Sequence, residues 1–148
     1  MKISKQSAGL LLTIALSGLL SGCQQTLKPF TSDGCSSFPD GTIKQSDLWL
    51  ACCTAHDRTY WQGGTYDDRL ASDKELRMCV SEVGQPEIAA LMLAGVRVGG
   101  SPLWPTTFRW GYGWPYPRWY GKLTDEELAQ VELREAEIEE PSIELLNQ

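Results

Sequence analysis

Histidine occurs once in this chain of 148 residues. A zinc site built from several histidines is therefore excluded within it. Basic residues are also scarce: 13 Lys and Arg face 19 Asp and Glu, a net charge of −6. A surface that grips nucleic-acid phosphates needs the opposite balance, so no nucleic-acid partner is expected. The sequence has no Gly-x-Ser-x-Gly elbow, which argues against a serine esterase. It has no Gly-rich phosphate loop and no internal repeat. The length leaves no room for a TIM barrel or a two-half dinucleotide-binding enzyme. What remains is one domain with tails. With 42% apolar and 22% charged residues, bulk disorder is not expected.

Near the N-terminus an apolar stretch, Leu10 to Leu20, follows Lys2 and Lys5. It is shorter than the ~20 residues a membrane-spanning helix needs, and it matches a signal-peptide core. It ends in Leu20-Ser21-Gly22-Cys23, which resembles a bacterial lipobox. That resemblance implies cleavage after residue 22 and acylation of Cys23. Residue 24 is Gln rather than the Asp associated with inner-membrane retention. The expected location is thus the bacterial cell envelope, lipid-anchored at the outer membrane and facing the periplasm. Several acyl chains on one Cys would make a durable anchor. The plainer reading is an ordinary secretory signal with an incidental Cys23. Cysteine number agrees with the lipid reading: of five Cys, one takes lipid and four form two disulfides in an oxidising compartment.

Five segments follow along the chain: a lipoprotein signal peptide (1–22), a lipidated tether (23–32), a helical core (33–103), an aromatic Gly/Pro-rich segment (104–121), and an acidic C-terminal helix and tail (122–148). Residues 33–41 hold two Asp-Gly pairs and a Pro, and form a turn-rich loop. Residues 46–61 read as a helix capped by Ser46 and stopped at Gly63-Gly64. On it Cys52, His56 and Tyr60 share a face, with Cys53 and Asp57 on the neighbouring stripe. Asp68 is the expected cap of a second helix to about Val83, with Leu70, Asp73, Leu76 or Arg77, and Val80 on its inner side. Pro86 opens a third, to about Val98. Thr124 and Glu127 form a capping box for the last, whose thin stripe is Leu128, Val131 and Ile138.

Adjacent Cys52 and Cys53 point about 100° apart on a helix, so they can staple it in two directions. The placement of the others favours Cys35–Cys53 and Cys52–Cys79, although four Cys allow three pairings. Bonding Cys52 to Cys53 would strain the helix and ranks last.

The run Cys52-Cys53-Thr54-Ala55-His56-Asp57 resembles the catalytic helix of the secretory phospholipase A2 superfamily, whose signature is Cys-Cys-x-x-His-Asp. The resemblance covers roughly residues 33–83. Tyr60 lies four residues after the His, as in that family, and Cys79 lies six after Asp73, where the family places its crosslinking Cys after its orienting Asp. The family implies a mainly α fold: a small disulfide-stapled helical domain in which two antiparallel helices carry a His/Asp dyad. It implies His56 as general base, Asp73 as the group that orients it, and Tyr60 as support. It further implies calcium, held by Asp57 and by the loop, for which Ser37, Asp40 and Gly41 are the candidates. The loop here is poorer in Gly than the family's. The implied activity is calcium-dependent ester hydrolysis of glycerophospholipids, with a phospholipid or membrane surface as partner.

Plainer readings stand beside these. His56 is a packed core residue, or Asp73 pairs with Arg77 or Arg69 at helical spacing. In the aromatic segment Phe108, Trp110, Tyr112, Trp114 and Tyr116 recur every second residue, which predicts an extended segment with one aromatic side. It is either an interfacial rim, with Arg97, Arg109 and Arg118 meeting lipid phosphate, or a wrap over a small core. The competing function is a non-catalytic envelope lipoprotein that uses the scaffold to bind membrane, cell wall or a protein.

Overall fold

Four helices, α1 (Leu50–Gln62), α2 (Tyr66–Glu82), α3 (Pro86–Gly99) and α4 (Asp125–Glu144), carry the architecture. The computed structural model describes residues 25–144, with side chains through Ile138. There is no strand among the described residues. The signal peptide and Cys23 lie outside the described residues. No described helix is long and apolar enough to cross a membrane.

Each helix end has a local cause. α1 starts at Leu50, later than the Ser46 cap predicts. The amide of Trp49 is taken by the Asp40 carbonyl and its indole by the Pro39 carbonyl, so residues 46–49 close a loop instead of winding a helical turn. α2 is capped by Thr65, not Asp68; Asp68 is the reciprocal partner of a complete capping box. Pro86 occupies the first turn of α3, where its missing N–H costs nothing. Thr124 and Glu127 bond reciprocally at the start of α4, as expected.

α1, α2 and α3 form successive antiparallel neighbours. The links between α1 and α2 run in opposite chain directions: Cys52 with Cys79, His56 with Asp73, Tyr60 with Arg69. Cys35–Cys53 and Cys52–Cys79 are both bonded, with Cα separations of 5.0 and 5.7 Å. They sit in a core of Trp49, Leu76, Val80, Ala89 and Met92.

A second core gathers Leu27, Trp61, Trp114 and Val131. The segment expected to be a polar tether contributes to it: Leu27 is 1% exposed, and the Lys28 carbonyl accepts from the Trp61 indole. The aromatic segment is a chain of turns, not an extended strip. Its period of two does not survive folding, because Trp110 and Trp114 are fully buried while Trp104, Tyr116 and Trp119 are exposed.

The wrap has a specific task at the end of α1. A helix leaves its last four carbonyls without intrahelical partners. Here the Thr59 carbonyl accepts from Gly63 N–H, Tyr60 from Gly111 N–H, Trp61 from Gly113 N–H, and Gln62 from the Trp114 indole. Gly113 must be glycine, since a Cβ there would lie 2.4 Å from the Trp61 ring.

Of the predicted α4 stripe, only Val131 is buried, while Leu128 is exposed. The rest of that helix is held by polar contacts: Gln130 with Leu27 and Gln25, and Glu135 with Gln62 and Arg58.

Candidate active site

Antiparallel pairing of α1 and α2 brings residues 17 positions apart into contact: His56 Nε2 lies 3.0 Å from Asp73 Oδ1. The Tyr60 hydroxyl donates to the same oxygen at 2.7 Å. Asp73 is fully buried and His56 nearly so. Arg97, on α3, places its Nε 3.0 Å from Asp73 Oδ2. That contact is an ion pair by distance, with the N–H directed off the oxygen, because Oδ2 has no aligned hydrogen bond. With Tyr60 donating to one oxygen and a guanidinium beside the other, Asp73 acts as an acceptor. This assigns the imidazole proton to Nε2 and leaves the lone pair on Nδ1.

Tyr60 is fixed from three sides. Arg69 Nε donates to its hydroxyl at 3.1 Å, and its ring stacks obliquely on His56 and edge-on to Trp110. Burial, reinforced by the Asp73 charge, pushes its phenol well above the ordinary range, so it remains a donor. Arg69 also donates to the Tyr120 hydroxyl and to the carbonyls of Val96 and Arg97.

His56, Asp57 and Tyr60 line a cavity of about 430 Å³. Its other walls are largely apolar, including Phe38, Leu76, Leu91, Met92, Val96 and Phe108. The Cys35–Cys53 bridge contributes to the same wall. Asp57 is buried on the neighbouring stripe of α1, and its carboxylate accepts from the Ser32 hydroxyl at 2.6 Å. Burial pushes its pKa up to about 6, a rise the Ser32 bond and His56 only partly offset.

The loop beside Asp57 tests whether calcium fits. Gly34 through Phe38 border the cavity, Ser37 among them. Asp40 and Gly41 do not line it. Asp40 Oδ1 accepts from the Cys35 amide at 2.8 Å, and Gly41 packs against the Gln45 and Leu48 backbone. Gly34 has φ +77°, and a Cβ there would collide with the Asp40 carboxylate. Ser36 and Ser37 hold positive φ of 34° and 65°, an uncommon backbone for residues with a Cβ. Among the described residues, no hydrogen bond ends on the carbonyls of Asp33 to Phe38. No trio of His, Cys, Asp or Glu poised for a metal occurs among the described residues. The donors present are therefore one buried carboxylate and several uncommitted carbonyls. That all-oxygen set fits calcium and does not fit zinc.

Several expectations change in the structure. Arg77 is exposed, and Arg69 turns away from Asp73; the cation at Asp73 is Arg97. The arginines assigned to lipid phosphate have internal partners. Arg97 meets Asp73, Arg109 donates to the carbonyls of Trp110, Gly111 and Trp114, and Arg118 forks onto Glu127. Ser32 escaped sequence reading, and Arg97 was assigned to lipid phosphate instead of Asp73, because no periodicity links either to the Cys-Cys helix. A buried acidic position on α2 called for a cation, but nothing local said which one.

No family model, curated protein or solved structure matches this chain.

Proposed function

We propose that the chain is a calcium-dependent carboxylic ester hydrolase acting on glycerophospholipids at the bacterial envelope, with His56 as general base. One observation carries the reading: a His–carboxylate hydrogen bond lies against an apolar cavity, beside a second buried carboxylate and a loop with uncommitted carbonyls. The phospholipase A2-like fold and the lipid anchor at Cys23 belong to the same proposal.

His56 Nδ1 takes a proton from a water that attacks the ester carbonyl, while Asp73 holds the ring and offsets the imidazolium charge that forms. Tyr60 donates to Asp73 and keeps its oxygen facing the ring. The apolar walls of the cavity exclude bulk water and accept hydrocarbon. Asp57 and the carbonyls of the loop from Gly34 to Phe38 would hold the metal. Calcium bound there would supply Lewis-acid polarisation of the ester carbonyl. The collapse of the tetrahedral adduct returns the proton from His56 to the leaving alcohol.

The test is fatty-acid release from mixed glycerophospholipids by the folded, disulfide-bonded protein, with calcium and with chelator. Calcium-dependent release supports the reading. No release under either condition leaves the non-catalytic scaffold in its place, and release indifferent to chelator removes the calcium role of Asp57. Intact mass of the membrane-extracted protein tests the anchor: a product without lipid on Cys23 removes it.

A further inference from the structure

We propose that Arg97 is a positioning residue that locks the Asp73 carboxylate in the orientation His56 requires. This rests on the reading of His56 as general base.

A fully buried carboxylate is costly unless a charge or hydrogen bonds compensate it. Asp73 takes two contacts on Oδ1, from His56 and Tyr60, both carried by α1. Oδ2 is left to α3, where Arg97 Nε stands 3.0 Å away. A carboxylate turns easily about its Cβ–Cγ bond. Contacts from two different helices, one set per oxygen, stop that rotation. Oδ2 has no hydrogen bond, so without Arg97 it would be buried with no charge beside it either, and turning the group to relieve it would pull Oδ1 off the imidazole.

Arg97 is itself held. Its Nη2 donates to the Leu70 carbonyl at 3.2 Å. In the opposite direction, Arg69 donates from α2 to the carbonyls of Val96 and Arg97 on α3. The two arginines thus cross between the helices. Arg69 reaches Tyr60 and backbone, whereas Arg97 alone of the two meets the carboxylate. The competing role for Arg97 is a clamp of α2 on α3, indifferent to the charge at position 73.

The experiment uses the full chain with Arg97→Gln, Arg97→Lys, Asp73→Asn and the double variant Asp73→Asn/Arg97→Gln. Because the chain has one His, its ring nitrogen signals in NMR belong to His56 without assignment. They report the tautomer independently of any activity. The second readout is kcat and KM for fatty-acid release from vesicles of phosphatidylethanolamine and phosphatidylglycerol with calcium.

Arg97→Gln should convert a ring protonated on Nε2 into a tautomer mixture and lower kcat about tenfold, leaving KM within about twofold. Arg97→Lys should restore most of both. In the Asp73→Asn background, Arg97→Gln should cost no more than about twofold, since the charge it serves is gone. Wild-type ring signals and kcat in Arg97→Gln overturn the proposal. So does an equal loss from Arg97→Gln in both backgrounds, which would mark a clamp. If Arg97→Gln does not fold, Asp73→Asn is compared with the double variant, which buries no lone charge: equal ring signals and rates support the proposal, and a further loss in the double overturns it. If wild type releases no fatty acid, the hydrolase reading fails, and the ring signals still decide whether Arg97 positions Asp73.

Discussion

The two cores flanking α1 are built by different physics. The cystine core joins α1, α2 and the loop from Gly34 to Phe38 through two covalent bridges and the polar knot of His56, Tyr60, Asp73 and Arg97. The tryptophan core has no covalent bond. It depends on apolar burial of Leu27, Trp61, Trp114 and Val131, with indole and amide donors satisfying the end of α1. The first core adds two bridges and a buried polar knot to its apolar packing, whereas the second rests on packing and hydrogen bonds alone. The wrap needs no such geometry and is free to maximise burial. Damage to the first core should therefore register as lost chemistry, and damage to the second as lost stability.

The sharpest division would come from His56→Gln. It should lower phospholipid hydrolysis by ~10²–10⁴-fold with little change in the urea midpoint; a proportional loss of stability would erase the distinction between the cores. On the other side, Trp114→Ala should cost about 3–5 kcal/mol in urea unfolding, because the side chain is fully buried. Trp104→Ala, exposed in the same segment, should stay within about 0.5 kcal/mol. Equal costs would mean that the aromatic wrap is not packed as described.

Next in size is Cys52→Ala with Cys79→Ala, which should remove about 2–4 kcal/mol by releasing the denatured chain. It should also reduce hydrolysis, since the bridge lies between the helices that carry His56 and Asp73. Loss of stability with full activity would show that the polar knot holds without it.

The smallest effect belongs to Glu127, where the wrap meets α4. The hydrogen bond from Arg118 holds its carboxyl below the ordinary range, with the Thr124 amide assisting against burial. The folded state therefore binds its proton less readily than the unfolded state. The stabilisation is present at neutral pH and is lost as pH falls through the folded carboxyl's range. Comparing wild type with Glu127→Gln across pH should show about 0.5–1 kcal/mol at pH 7, shrinking on acidification. A difference constant with pH would mean that shape, not charge, is what Glu127 contributes.

Much of the cystine core was legible from spacing. Spacings of four put Cys52, His56 and Tyr60 on one helix face, while the resemblance to the phospholipase A2 superfamily implied that the helix with Asp73 and Cys79 answers it. The mainly α architecture and both disulfides follow that reading. The wrap was less legible. Its alternation of aromatics pointed to one exposed or one buried side, yet Trp110 and Trp114 went in while Trp104 and Tyr116 stayed out. Gly and Pro between them let each turn send its neighbour a different way, so local period no longer encodes burial. Leu27 gave no signal, because Leu27 and Phe30 alone in a short polar stretch set no period.

By itself, the sequence determined what depends on neighbours along the chain: helix periodicity, capping at Thr124, the stop at Gly63, and the different directions in which Cys52 and Cys53 leave their helix. Tertiary structure alone decided which cation would reach Asp73. It turned Arg69 to Tyr60 and brought Arg97 from another helix. It also moved Asp40 into bracing its own loop, committed three arginines to internal partners, and closed the open end of α1 with backbone from residues 111 and 113. Local preferences act over a few residues and leave their mark in composition. A buried charge or an unpaired carbonyl can be satisfied from any distance along the chain, and only the fold selects the partner.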